Sequence, residues 1–206
     1  SVLFVTQAAS AFRSWAIIHK VSVHGGQPES MNVGWGSSLV FGPSGGKVLG
    51  RFGRDPAQWK RYRGGRCGEI WIDKDDSGNF KKLLELESNM VWPMWIGDRI
   101  YFEGDHDGIG NIYSCNLDGK KLKRHTQHED FYVRSPQVDG DRIVYQLDGR
   151  IFLLDLEADK TTELNIQIPS QFRQRQPKMP LLKRHMNNVD IHPANCSCTA
   201  TARGKL

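Results

Sequence analysis

The feature that most constrains the fold is an internal repeat with a period of about 40 residues. Three segments align, and each starts at a glycine and runs into apolar residues: Gly68–Asp73, Gly110–Cys115 and Gly149–Leu154. Their glycines are 42 and 39 residues apart. A second motif lies between them and occurs twice, as Gly97–Phe102 and Gly140–Tyr145. Such a period is long enough for one supersecondary unit per repeat.

The runs inside each repeat have the composition of short β-strands. In the middle repeat they predict four strands, at 91–96, 99–103, 111–116 and 121–126, rich in Ile, Val, Tyr, Phe and Trp and separated by Gly, Asp and Asn. A sandwich with accidental self-similarity is the alternative, and the doubled Gly-Asp-Arg-Ile sequence argues against it. We therefore predict an all-β fold, an incomplete β-propeller arc of four-stranded antiparallel blades with WD40-like or TolB-like repeats.

The repeat does not extend over the whole chain. After Ile168 a polar, basic stretch with several prolines shows no alternation, and strand-like sequence resumes at Asn188. We therefore predict a partial six-bladed propeller over 1–167, an inter-domain linker over 168–186 and the truncated start of a second propeller over 187–206. A closed six-bladed ring needs about 240 residues at this period, so we expect a fragment of a longer protein.

Composition excludes several classes of protein. The 206 residues carry 28 Lys and Arg against 23 Asp and Glu, interspersed rather than gathered into a basic stripe, so we predict no nucleic-acid partner. Apolar runs are only a few residues long, which predicts no membrane span. Four irregularly spaced cysteines indicate free thiols in a reducing compartment, and we expect a cytoplasmic protein.

One segment matches a catalytic motif in residue types but not in its predicted secondary structure. Gly42–Gly46 fits the Gly-x-Ser-x-Gly nucleophile elbow, which needs a strand, a strained turn and a helix. Here the sequence after the motif predicts another strand, so we interpret the segment as a hairpin turn. Ser44 is therefore not a nucleophile candidate, and no catalytic residue can be nominated.

Two segments resemble metal sites incompletely. Asp73–Gly78 has the spacing of the start of a calcium loop, but the twelfth position, which should be a bidentate Glu, is Leu84. His192, Cys196 and Cys198 lack the second ligand pair of a structural zinc site, and the role of this end of the chain stays open. We predict no metal and no cofactor.

A basic insertion and one arginine are the remaining candidates. Lys60–Arg66 places four cations around an aromatic ring, as RNA-binding segments do, but a single short copy favours an insertion between strands. The residues predicted to build this structural insert are Trp59, Tyr62, Arg63, Gly64 and Gly65, with the two aromatic rings packing on the neighbouring blade. Arg134, near the start of a blade, is a weak candidate for contacting substrate in a channel.

The repeats and the basic insertion together resemble the tricorn proteases, and the resemblance is densest between Trp59 and Asp155. The matching segments are Trp59–Gly65, Glu69–Ile72, Gly97–Phe102, Asn111–Ser114, Asn116–Gly119, Lys123–Thr126 and Asp130–Tyr132. The insertion is the most specific of them. Ala202–Lys205 resembles the turn that opens a blade of the family's second propeller, whereas Pro193–Cys198 departs from the hairpin expected there.

The resemblance implies a large cytosolic serine peptidase that degrades peptides downstream of the proteasome. In that family a six-bladed and a seven-bladed propeller precede a PDZ-like domain and the catalytic domains, whose residues match nothing here. The chain would then be a non-catalytic segment serving as a peptide channel or filter. Its partners would be peptides, the remaining blades and catalytic domains, and further copies in a homo-oligomer. The alternative is a stand-alone, TolB-like protein-binding propeller.

Overall fold

The computed structural model describes residues 1–8, 10–12, 15–177, 181–194 and 196–202. They divide into two compact units, Ser1–Ile166 and Gln167–Leu206. The strands of the first unit are β1 (Val2–Thr6), β2 (Ile17–Val21), β3 (Glu29–Trp35), β4 (Ser38–Phe41), β5 (Lys47–Arg51), β6 (Glu69–Asp73), β7 (Lys81–Lys82), β8 (Met90–Ile96), β9 (Arg99–Gly104), β10 (Asn111–Asn116), β11 (Lys123–Arg124), β12 (Arg134–Asp139), β13 (Arg142–Leu147), β14 (Arg150–Asp155) and β15 (Lys160–Leu164).

These strands form four antiparallel sheets in sequence order, which we call sheet A (β1–β3), sheet B (β4–β7), sheet C (β8–β11) and sheet D (β12–β15). Consecutive strands pair as hairpins. β8, the first strand of sheet C, contacts β4 and β12, the first strands of its neighbours, so the first strand is the innermost one. The predicted all-β arc of four-stranded blades is confirmed, and no α-helix occurs among the described residues.

The recurring glycines have a backbone reason. Gly97 and Gly140 each adopt a φ of 57°, and they close the equivalent β8–β9 and β12–β13 hairpins. Asp148 and Gly149 both have positive φ in the two-residue turn between β13 and β14. Tight hairpins need such left-handed residues, and Gly, Asn and Asp adopt them at least cost. The repeated Gly-Asp-Arg-Ile motif is thus a turn followed by the first residues of a blade's second strand.

Two apolar layers join sheets B, C and D. The layer between B and C contains Ile70, Phe102 and Tyr113, and the layer between C and D contains Ile112 and Tyr145. Each of these five side chains is at most 1% exposed. Because successive residues of a strand point to opposite faces, sheet C contributes neighbouring residues of β9 and β10 to different layers. Both faces of sheet C are therefore buried.

The same position of each blade faces the following blade. Ile70, Ile112 and Ile151 are each the second residue of the third strand, and they pair with Gly50, Glu103 and Gln146 respectively. The first two are fully buried, whereas Ile151 is 38% exposed on the outer face of sheet D. Phe102 and Tyr145 are likewise the fourth residues of equivalent strands. The predicted equivalence of these positions is confirmed.

Sheets A and B are joined by a cation held between two indole rings. The guanidinium carbon of Arg51 lies 4.6 Å from the ring centroid of Trp35 and 4.2 Å from that of Trp71. Burial lowers the pKa of Arg51, although the nearby Glu69 carboxylate opposes the shift. Partly desolvated cation–π contacts contribute about 1–2 kcal/mol each. The later sheets are joined instead by the mainly apolar layers described above.

The structure differs from the sequence prediction at the two ends of the arc. An open arc predicts a bare apolar face at each end, with Ile18 on the first of them, but Ile18 is only 1% exposed. Leu156 was also expected on a bare face and instead packs against the layer between sheets C and D. Val2 is 50% exposed, as expected, and Leu153 is half-buried.

The second unit contains a short 3-10 helix (Leu182–Arg184) and a hairpin of β16 (Met186–Ile191) and β17 (Cys198–Ala202). Residues 203–205 of the predicted blade-opening turn lie outside the described residues. The division into propeller, linker and second propeller remains a prediction. Over the part of the chain that the structure describes, no helix has the length and apolar character needed to cross a membrane.

The equivalent isoleucines provide a matched test of the packing. Ile112→Ala opens a cavity between two sheets and is expected to lower the free energy of unfolding by about 3 kcal/mol. Ile151→Ala removes the same atoms from an exposed face and should cost less than about 1 kcal/mol. Urea unfolding followed by tryptophan fluorescence measures both. Equal losses for the two variants would contradict the proposed blade order.

Candidate functional site

One face of the first unit gathers the loops that join second strands to third strands. The longest of these connects β5 to β6 and contains the basic insertion at 52–68, which we call the insert. The equivalent loop of sheet C contains Asp105, and the shorter one of sheet D contains Asp148. The starts of the innermost strands, including Arg134, lie on this same face, which we call the loop face. It is where the predicted site residues meet.

Asp105 attaches the insert to sheet C. Its carboxylate is fully buried and accepts hydrogen bonds from the backbone N–H of Arg61 at 2.9 Å and of Asn89 at 2.9 Å. The Arg63 guanidinium donates to Asp105 Oδ1 at 2.9 Å and to the Asp105 carbonyl at 3.0 Å. A buried carboxylate is tolerated only when it is paired and hydrogen-bonded in this way. The insert is therefore fixed, although most of its residues are exposed.

The aromatic residues of the insert contact each other. The rings of Trp59 and Tyr62 lie 5.1 Å apart, and Arg54 covers Trp59 at 5.2 Å. Packing of these two rings on the neighbouring blade stays a prediction, whereas Arg63 and the insert's backbone do bond to sheet C. A Cβ at Gly64 would lie 2.2 Å from the Tyr62 hydroxyl, so a larger residue there would require the Tyr62 ring to move. At Gly65 a Cβ would meet open space.

Arg134 makes the second attachment of the insert. Its Nε donates to Asp55 Oδ2 at 2.8 Å, and its Nη2 pairs with the same carboxylate oxygen. The Arg134 side chain nevertheless remains 45% exposed. A cavity of about 180 Å³ adjoins it, lined by Ala57, Lys60, Phe131, Tyr132, Arg134, Gln146, Asp148 and Gly149. Lys60 lies above the Tyr132 ring, 5.8 Å from its centroid. Two cations thus face one small, open cavity.

Glu103 is a buried carboxyl group that sequence reasoning missed. It is fully buried, and neither of its oxygens has a hydrogen-bond partner among the described residues. Burial raises the pKa of Glu103 well above its ordinary value, and the Asp105 and Asp55 carboxylates raise it further. Gly110 leaves room for it, since a Cβ there would lie 1.8 Å from Glu103 Oε1. Glu103 is therefore protonated at pH values at which ordinary carboxyl groups are charged.

A serine, a histidine and an aspartate line up between sheets C and D. Ser114 Oγ lies 2.8 Å from His125 Nε2, and His125 Nδ1 lies 2.6 Å from Asp159 Oδ1. These are the separations of a hydrolytic triad. However, Ser114 is fully buried within a central strand, and Arg99 Nε donates to its Oγ at 2.9 Å. Since no substrate can reach this hydroxyl, we interpret the three residues as a polar link between blades.

The other motifs occupy turns. Gly42 N donates to Gly46 O at 2.8 Å, which closes the β4–β5 hairpin and confirms the turn interpretation of Gly42–Gly46. The Asp73 carboxylate accepts from the backbone N–H of Ser77 and of Gly78 within its own loop. Burial opposes the effect of these bonds, which still lower the pKa of Asp73. The described residues contain no group of three or more side chains that could hold a metal ion.

The comparisons with known proteins agree with this architecture. A model of the tricorn protease N-terminal beta propeller domain matches residues 1–160. The chain belongs to the tricorn protease family. A tricorn protease homolog from Saccharolobus solfataricus is 38% identical over 93% of this chain, and the tricorn protease of Thermoplasma acidophilum is 36% identical over 81%.

Solved structures extend the comparison to the fold. The crystal structure of the tricorn protease superposes with a TM-score of 0.78 and 31% identity over 92% of this chain. A putative TolB from Agrobacterium tumefaciens superposes with a TM-score of 0.60 at 18% identity over 78% of this chain and 59% of its own, which shows a shared fold only. The chain spans 18% of the length of the Saccharolobus solfataricus relative and 15% of that of the Thermoplasma acidophilum relative.

The protonated state of Glu103 predicts how stability depends on pH. In the unfolded chain this carboxyl group titrates at about 4.3, whereas its folded pKa is higher. At a pH between the unfolded and the folded pKa of Glu103, folding therefore takes up a proton. The contribution of this group to the free energy of unfolding is present at low pH and is lost as the pH rises. Glu103→Gln has no such titration, so its unfolding free energy relative to the native sequence should increase between pH 4.5 and 7.5.

Urea unfolding at both pH values measures this difference. Glu163→Gln is the matched control, because the Glu163 side chain is 48% exposed on sheet D. That variant should differ from the native sequence by the same amount at both pH values. A Glu103→Gln difference that does not change with pH would contradict the protonated state.

Proposed function

We propose that this chain is a non-catalytic propeller segment of a tricorn-like serine peptidase, in which the loop face guides or filters peptides. Membership of the tricorn protease family supports the class of protein. The observation that carries the role is the position of Arg134 at the start of an innermost strand, half-exposed beside Lys60 on an open cavity. Innermost strands line the channel of a propeller, and an arginine there can bind carboxylates and backbone carbonyls of a passing peptide.

The proposal extends to the setting of the complete protein. The family supports a parent peptidase that degrades peptides downstream of the proteasome, in the cytoplasm and as a homo-oligomer. In such an assembly this segment would present peptides to catalytic residues supplied by other domains. The TolB-like alternative has only a likeness of fold behind it, so we do not propose it as a second function.

The role of Arg134 can be tested by peptide binding. A fluorescein-labelled acidic hexapeptide is titrated with the purified chain, and anisotropy reports its affinity. Arg134→Gln removes the exposed cation and should weaken binding about tenfold, the effect of losing one charge-assisted hydrogen bond.

Asp55→Asn is the matched control for this experiment. It weakens the same ion pair but keeps the Arg134 charge, so the variant should bind at least as tightly as the native chain. Unchanged binding by Arg134→Gln, or an equal loss in both variants, would contradict a direct role for the arginine.

A further inference from the structure

A row of aromatic rings crosses the junction between sheets A and B. Ring centroids are 4.9 Å apart for Phe12 and Trp15, 6.4 Å for Trp15 and Trp35, and 4.5 Å for Trp35 and Phe52. Phe12 is 57% exposed and Trp15 is 45% exposed. Single exposed aromatic residues are common on protein surfaces, but contiguous apolar patches mark binding sites. We call this row and the cavities beside it the aromatic crevice.

Two cavities share Trp35 as a common wall. The first has a volume of about 370 Å³ and the second about 220 Å³. Ser10, Trp15, Ile17, Ser30, Asn32, Gly34 and Trp35 line the first. Val5, Gln7, Ala16, Trp35, Gly36, Ser37, Phe52, Gly53, Arg54 and Arg66 line the second. The first cavity lies at Trp15 and Trp35 and the second at Trp35 and Phe52, so both follow the aromatic row, and together they have room for several residues of an extended chain.

Among the described residues that line the aromatic crevice, the charged ones lie at one end. Arg54 and Arg66 line the second cavity, and neither guanidinium forms an ion pair with a residue that the structure describes. None of the described residues lining either cavity is acidic. The first cavity offers neutral polar groups, including Ser30 and Asn32. The second end is therefore complementary to a single anionic group.

The central ring of the aromatic crevice is rigidly held. Arg51 contacts both Trp35 and Trp71, so the indole of Trp35 is held by the joint between sheets A and B. A pre-positioned aromatic ring loses little conformational entropy when a ligand packs on it. The site is thus formed before any ligand arrives.

We propose that the aromatic crevice binds an extended peptide segment that carries an aromatic or proline side chain close to a carboxylate. The ring packs on Trp15 and Trp35, and the carboxylate pairs with Arg54 and Arg66. The inference rests on the proposed function and specifies a peptide preference for it. A single-stranded nucleic acid also stacks on aromatic rings, but its phosphates recur at every nucleotide and need cations along the whole site. The cations that line the cavities, Arg54 and Arg66, lie at one end only, which favours the peptide.

Fluorescence anisotropy with defined probes tests the proposal on the full chain. The probes are fluorescein-labelled Ala-Pro-Phe-Ala-Asp with a free terminal carboxylate, its Ala-Pro-Phe-Ala-Lys amide counterpart, the all-alanine peptide ending in Asp, and a thymidine decanucleotide. The native chain should bind the first peptide about tenfold more tightly than the Lys amide. The Arg54→Gln/Arg66→Gln double variant should lose this discrimination. Trp15→Ala should weaken binding of the Phe peptide but not of the all-alanine peptide.

Two exposed residues outside the crevice supply controls. Phe41→Ala removes an aromatic ring that is 48% exposed, and Arg142→Gln removes a cation whose side chain is 61% exposed. Both variants should bind every probe as the native chain does. Thermal melting checks that each variant folds. For a variant that does not fold, a benzophenone in place of the probe's Phe is cross-linked to the native chain instead, and the adduct should map to Trp15, β2, β3 or residues 52–54.

The outcomes separate this inference from the proposed function. If Arg134→Gln abolishes peptide binding and the crevice variants leave it unchanged, the assignment of the crevice as a peptide site is overturned. The guiding role of the loop face is then left intact. Binding of no peptide overturns both. Tighter binding of the decanucleotide, lost in the same variants, would mean that the site takes nucleic acid, and cross-links outside the crevice would also overturn the assignment.

Discussion

The packing of sheet C against both of its neighbours is the contact on which the rest of the first unit depends. Its β9 and β10 strands send alternate side chains to opposite faces, so Phe102 and Tyr113 pack toward sheet B while Ile112 packs toward sheet D. A blade has no apolar interior of its own and becomes stable only between two others. Sheet C is buried on both faces, whereas the outer face of sheet D retains Ile151 at 38% exposure.

This packing also determines where function can reside. A blade face that is covered by a neighbouring blade admits no ligand, so a ligand of an enclosed blade can reach only loops, innermost strands and junctions between blades. The loop face presents Arg134, held beside Asp55, and the insert is fixed over it by the buried Asp105. At the junction of sheets A and B the layer is not wholly apolar, and aromatic rings are exposed there beside Arg54 and Arg66. The two proposed binding surfaces are therefore consequences of how blades meet.

Much of the fold could be predicted from the sequence, because strands such as β9 and β14 combine β-branched or aromatic residues with glycine turns. β3 was missed, since Glu29–Trp35 contains Asn32 and Gly34, residue types that are depleted in strands and that here have positive φ. The insert and Arg134 were predicted as candidates, but their partners were not. Asp105 lies more than 40 residues from Arg63 in the chain and joins it only through blade packing. The sequence signal that could have predicted this contact is the opposite charge of the acidic turn at Asp105 and the cationic insertion.

Native-state hydrogen exchange tests the central role of sheet C most directly. If blade-on-blade packing stabilises the unit, the backbone amides of β9 and β10 should exchange most slowly, by global unfolding alone. The amides of β1, at the open face of sheet A, should exchange through smaller openings and lose protection first as denaturant is added. Equal or greater protection of β1 than of β9 and β10 would contradict this account, because it would mean that stability does not depend on a blade being enclosed on both faces.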